Sequence, residues 1–123
     1  MAVDPRGADL KRLMADDDGG PLVMLNLLRF AEGKRDAYDH YARLFADTFL
    51  ERYGAEVIYF GDGSTVLVAE PGQEWDAVVL VRYPHREAFS RMVADPDYHE
   101  ISHLRSAALS EAVLQATVPV RLQ

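Results

Sequence analysis

With 123 residues, 49% of them hydrophobic and 27% charged, the chain has the length and balance of one globular domain with a core of its own. A formal net charge of −7 argues against sequence-independent binding to nucleic acid, and equally against docking on an anionic membrane surface. The lack of cysteine excludes disulfides, zinc ribbons and thiol catalysis, and it fits a cytoplasmic location. No apolar run approaches the roughly 18 residues of a spanning helix. The early acidic residues Asp4, Asp9 and Asp16 to Asp18 are unlike a signal peptide.

Residues 5–15 read as a leading helix. Pro5 suits its first turn, and Leu10, Leu13 and Met14 share one side. The run from Asp16 to Pro21 breaks the chain, so residues 1–20 form a helix and linker ahead of a core at 21–118. The first strand, about 22–30, alternates Val23, Leu25 and Leu27 with Met24, Asn26, Leu28 and Phe30. Both faces are apolar, so both need a cover.

A helix follows from Asp36, its expected cap, to Tyr53, with Tyr38, Tyr41, Phe45 and Phe49 on one side. Gly54 is placed as its left-handed stop. Glu56 to Phe60 reads as a strand and Gly61 to Gly63 as a turn or bulge. Thr65 to Ala69 is strand-like again, and Pro71-Gly72 marks a turn. Trp75 to Tyr83 is the next strand, apolar on both faces and ended by Pro84. A short helix over 85–93 leads to Asp95-Pro96. An aspartate cap before a first-turn proline opens a helix to about Ala107 that buries Tyr98, Ile101 and Leu104 or Arg105. The last strand covers 109–118.

The order is β-α-β-β-α-β with an extra leading helix and a split second helix. This predicts an α+β, ferredoxin-like sandwich, a single domain with a four-stranded antiparallel sheet and helices on one face. The doubly apolar strands predict a homodimer with facing sheets, closing into a dimeric α/β barrel.

Several stretches carry a family resemblance: Gly20 to Phe30, Trp75-Asp76 leading into Val81 to Pro84, Phe89 with Met92, Asp95 to Tyr98, and Arg105 to Leu109. Together they resemble the domain-of-unknown-function 1330 family over about Pro5 to Thr117. The resemblance implies the dimeric α/β-barrel group, which includes antibiotic-biosynthesis monooxygenases and muconolactone isomerases. It implies no catalytic residues. His85 stands where that family is expected to have serine after Tyr-Pro, which predicts a weaker helix cap.

The most specific short motif is His99-Glu100-Ile101-Ser102-His103, which matches H-E-x-x-H. The two histidines share a helix face, but a catalytic zinc site needs a third ligand, and no histidine follows His103. The expectation is therefore no metal site, with a zinc hydrolase as a remote alternative. Asn26 is an amide inside an apolar strand and needs partners, either structural or in a pocket. Arg82 lies on the third strand, which neighbours the first in a ferredoxin-like sheet, so the two residues are expected to converge; an arginine there suits an anionic ligand, or pairs with an acid such as Glu56.

Tyr41, Trp75, Tyr83 and Tyr98 are core or interface aromatics by default, and candidates to line a cleft between helices and sheet. Tyr38 falls in the same class. Arg105 and His85 complete the candidate set for ligand binding, with His40 a lone base lacking a visible partner. Gly61-Asp62-Gly63 is too short for a phosphate loop. No nucleotide, haem or nucleophile-elbow motif appears, and no cofactor is expected.

The leading functional expectation is a homodimer that binds a small, partly apolar organic molecule, with a cofactor-independent oxygenase, isomerase or lyase as its enzymatic form. The alternative is a non-enzymatic ligand-binding or assembly module.

Overall fold

The computed structural model describes residues 3–122. Its elements are α1 (Gly7–Ala15), β1 (Leu22–Phe30), α2 (Arg35–Arg52), β2 (Glu56–Asp62), β3 (Ala77–Tyr83), α3 (Arg86–Ala94), α4 (Pro96–Ala108) and β4 (Leu109–Thr117). The strands form one antiparallel sheet in the order β2-β3-β1-β4. This is the ferredoxin-like arrangement read from the sequence, with an additional helix in front. No helix among the described residues is long and apolar enough to cross a membrane.

Alternation decides what each strand buries. On β1 the side chains of Leu22, Met24, Asn26 and Leu28 point under the helices and are buried. On β3 the corresponding set is Ala77, Val79, Val81 and Tyr83. The register sets Leu28 opposite Ala77, Asn26 opposite Val79 and Met24 opposite Val81. Helix α2 covers this face with Tyr38, Tyr41, Phe45 and Phe49, all buried and spaced along one side. Phe89 and Met92 come from α3, and Arg105 and Ala108 from α4.

The helix ends follow local chemistry. The cap of α2 lies two residues ahead of the expected Asp36: Lys34 is the N-cap and makes no side-chain bond there, and Asp36 sits in the first turn, where its charge suits the helix dipole. Gly54 closes α2 with φ of 65°, the left-handed stop read from the sequence. Asp95 caps α4 by accepting from the Asp97 amide at 2.9 Å, with Pro96 in the first turn. His85 caps α3 after all: its Nδ1 accepts from the Ala88 amide at 3.2 Å. An imidazole nitrogen in its acceptor tautomer serves there in place of a hydroxyl.

Two strand expectations fail. Residues 65–69 form no strand, and β3 begins at Ala77 rather than Trp75. β2 pairs with β3 directly, so residues 65–69 lie in the connection between the two strands, outside the sheet. The chain leaves the sheet at Gly63, whose amide donates to Asp76 O at 2.8 Å. A Cβ at Gly63 would lie 2.0 Å from the Trp75 carbonyl oxygen, so only glycine fits that approach. β2 extends to Asp62, and its irregularity falls between Val57 and Tyr59 instead of at Gly61 to Gly63. That bulge sets Tyr59 opposite Leu80 and Phe60 opposite Val79.

The face away from the helices carries Val23, Leu25 and Leu27 on β1, Val78 and Leu80 on β3, and Val113 on β4, all half-buried. Ile58 and Tyr59 on β2 are 51% and 54% exposed.

Candidate functional site

Helices and sheet do not close completely over each other. A cavity of about 350 Å3 remains between α2, α3, α4 and the inner face of the sheet. Its walls are mostly apolar: Met24, Val79 and Val81 from the sheet, Phe45 from α2, and Phe89 and Met92 from α3. Polar atoms enter at few points. They belong to Asn26, to Tyr38, Tyr41, Tyr83 and Tyr98, to Ser102 and to Arg105, with Asp4 and His99 at the rim.

Asn26 sits mid-strand at 9% exposure. Its Nδ2 donates to the Met24 and Val79 carbonyls, both at 3.4 Å. Those are long bonds, and both come from the nitrogen, which leaves the amide oxygen as an acceptor on the cavity wall. Tyr41 on α2 and Tyr98 on α4 share a hydroxyl-to-hydroxyl bond of 2.7 Å across the helix pair. Their rings meet edge to face with centroids 6.4 Å apart. The Tyr83 hydroxyl faces Met92 Sδ at 3.9 Å.

Burial governs the protonation of these phenols. It pushes Tyr38 up to about 12, with the Arg105 charge opposing. It drives Tyr41 well up and raises Tyr98 and Tyr83, again against the pull of Arg105. All four therefore stay neutral near pH 7 and offer hydroxyl hydrogen bonds rather than charge.

Arg105 is the one cation of this wall, with its side chain 6% exposed. Its Nη1 donates to the Val3 carbonyl and stands 3.3 Å from Asp4 Oδ1. The segment ahead of α1 thus runs along the rim, and Ser106 binds the same Asp4 carboxylate. Nη2 is buried and has no hydrogen-bond partner among the described residues.

The residues singled out in the sequence divide cleanly. Asn26, Tyr41, Tyr83, Tyr98 and Arg105 meet at the cavity. Arg82, Trp75 and His85 do not. Asn26 and Arg82 fail to converge because they lie on opposite faces: Asn26 pairs with Val79, whereas Arg82 pairs with Val23 and Glu56 on the outer side. Arg82 makes no ion pair among the described residues, although Glu56 is its neighbour in register. Trp75 packs under the Arg29 guanidinium, 4.6 Å from its ring centroid, and Arg29 also pairs with Glu111 at 2.6 Å. His85 is occupied as the cap of α3.

Tyr38, grouped with the cleft aromatics in the sequence, also belongs to the cavity wall, as do Ser102 and Asp4, which the sequence did not single out. Tyr38 carried a signal in its spacing with Tyr41. Asp4 carried none, because its partner lies 101 residues away. His99 reaches the rim and His103 is exposed; no group of three His, Cys, Asp or Glu side chains among the described residues is arranged to hold a metal ion.

A ferredoxin-like sheet with helices on one face and an aromatic cavity between the layers defines an α+β domain of two layers. The chain belongs to the family described as Domain of unknown function (DUF1330), whose model matches residues 27–117. Among solved structures it is similar to RPA0582 of Rhodopseudomonas palustris, a protein of unknown function. The two are 30% identical, with 98% of each chain covered and a TM-score of 0.86.

Two more distant structures share the fold. SnoaB of Streptomyces nogalater, a cofactor-independent oxygenase, is 14% identical over 84% of this chain and 96% of its own, at TM-score 0.59. A dimeric ferredoxin-like protein of unknown function from Bacteroides fragilis is 9% identical over 79% of this chain and 94% of its own, at TM-score 0.54. No curated protein matches the chain.

Proposed function

We propose that this protein is a homodimer that holds a small, partly apolar organic molecule in the cavity between its helices and its sheet. The observation that carries the reading is the composition of that cavity: apolar walls interrupted by a few fixed polar groups, the pattern of small-molecule sites in general. Its volume of about 350 Å3 lies at the lower end of the range for such sites. Cofactor-independent oxygenation, isomerisation or lyase chemistry is the enzymatic form of this reading, supported by the fold shared with SnoaB.

The dimer is supported from the other side of the sheet. A folded monomer of 13.8 kDa exposes about 6,600 Å2 by the usual size relation. This chain exposes 7826 Å2, and its outer sheet face is aliphatic. Two such faces packed together by a two-fold axis cover each other. The protein of the same fold from Bacteroides fragilis is dimeric, which supports a dimer here.

The cavity is tested with a neutral fluorescent probe, N-phenyl-1-naphthylamine. Saturable enhancement at one probe per chain is expected. Ala42 lines the cavity from α2, so Ala42→Phe fills it and should weaken the probe at least about tenfold, a loss of roughly 1.4 kcal/mol. No enhancement, or enhancement untouched by a folded Ala42→Phe variant, rejects the site.

A further inference from the structure

The cavity wall contains one charged group whose bonding is incomplete. Arg105 projects from the last turns of α4, and its guanidinium fork is held at one prong only: Nη1 is taken by Val3 O and by Asp4. A guanidinium is planar, so fixing Nη1 also fixes the direction of Nη2. Nη2 lines no other contact among the described residues and is out of solvent. A charged donor buried in this way calls for an acceptor.

The surroundings say which acceptor. Asp4 offsets the charge only in part, because its own side chain is 49% exposed while that of Arg105 is 6% exposed. The four tyrosines that feel the Arg105 charge are neutral and supply hydroxyl donors, not counter-charge. Apart from His99 at the rim, no second basic side chain joins the wall. One free cationic nitrogen beside a carboxylate suits a monoanion. A dianionic phosphate would meet one donor and the repulsion of Asp4.

We propose that Arg105 Nη2 anchors the carboxylate of a monoanionic aromatic or alicyclic acid. Its ring lies against Phe45, Phe89 and Met92. A hydroxyl on that ring reaches the Asn26 amide oxygen, and the Tyr41 and Tyr98 pair donates to whatever oxygen stands nearest. This assignment rests on the reading of the cavity as a small-molecule site and names the class of ligand it takes.

The test compares two isosteres, 2-naphthoate and 2-naphthamide, as competitors of bound N-phenyl-1-naphthylamine at pH 7. The acid is expected to bind at least about tenfold more tightly than the amide. In Arg105→Gln the ratio of the two affinities should fall to near one, and in Arg105→Lys it should be reduced but retained. Asp4→Asn removes the competing carboxylate while Val3 O still holds Nη1, and should widen the ratio. Because the comparison of acid and amide is made first on the unaltered protein, it decides the matter even if an Arg105 variant does not fold. Equal affinities with the probe displaced by both would overturn the carboxylate anchor and leave the cavity reading standing. Failure of the neutral probe to bind at all would overturn both.

Discussion

On β1 the side chains of Leu22, Met24 and Leu28 lie at 0%, 4% and 0% exposure beneath the helices, whereas Val23, Leu25 and Leu27, each one residue away, stay half-buried on the other side. The inner face also admits polar groups: Asn26 in the strand, four tyrosine hydroxyls and Arg105 around it. The outer face is aliphatic at its centre and keeps its charges at the margins, in Arg29 with Glu111 and in Arg82 beside Glu56. A surface made to be closed by a second copy needs complementary apolar shape and tolerates charge at its rim. A surface made to hold a ligand needs polar atoms in fixed places within an apolar wall. On the function proposed above, one sheet serves both ends, back to back.

The sharpest way to break this comparison is to make equivalent changes on the two sides. Leu28→Ala removes a wholly buried side chain under the helices and should cost about 2–5 kcal/mol in urea-induced unfolding. Leu27→Ala, its neighbour on the outer face, should cost clearly less in the dissociated chain. If the two cost the same, the faces are not distinct in the way described.

Next in size is the effect of a charge on the outer face. Leu25→Asp should weaken dimerisation by roughly 2 kcal/mol or more, about thirtyfold, as seen by sedimentation at micromolar protein. Binding of the neutral probe should survive. An unaltered protein that sediments as a monomer at that concentration would refute the paired sheets.

The smallest effect concerns the helix layer that makes the inner face an inside at all. Asp95 accepts from the Tyr53 hydroxyl at 2.5 Å, from the Arg52 guanidinium at 2.9 Å and from the Asp97 amide at 2.9 Å, tying the end of α2 to the start of α4. The Tyr53 hydroxyl first, then the Asp97 amide and Arg52, hold its carboxyl below the usual range. A depressed carboxyl stabilises the fold fully above its unfolded value of about 3.9, and that contribution drains away as pH falls through the lower folded value. Thermal melts between pH 5 and pH 2 should therefore show an acid limb that Asp95→Asn flattens. An unchanged limb would assign acid sensitivity to other groups.

Much of this was legible in the order of residues. Alternation in Leu22 to Phe30 placed Asn26 on one face with Met24 and Leu28, and the spacing of Tyr38, Tyr41, Phe45 and Phe49 described one buried helix side. Gly54 and Asp95-Pro96 marked helix ends through chemistry that acts within a few residues. What escaped was long-range. The composition of Thr65 to Ala69 is strand-like, but a strand forms only where it packs and pairs against the rest of the sheet, and composition alone does not supply that. Arg82 and Asn26 each read correctly as half of an alternating strand, yet whether they meet depends on register across β1 and β3, and that register sets Arg82 against Val23. Arg105 and Leu104 compete for one helix side, and the matter is decided by Val3 and Asp4 from the far end of the chain.

The bulge in β2 has a consequence for comparing relatives. Val57 pairs with Val81 and Tyr59 with Leu80, so Ile58 is the surplus residue between two regular stretches. Removing it would leave Val57 and Phe60 toward the helices and Tyr59 toward the outside, as they are now. A family member one residue shorter here would keep every side chain on its present side, and an alignment should carry its gap at Ile58, inside a strand, instead of pushing it into the adjoining loop.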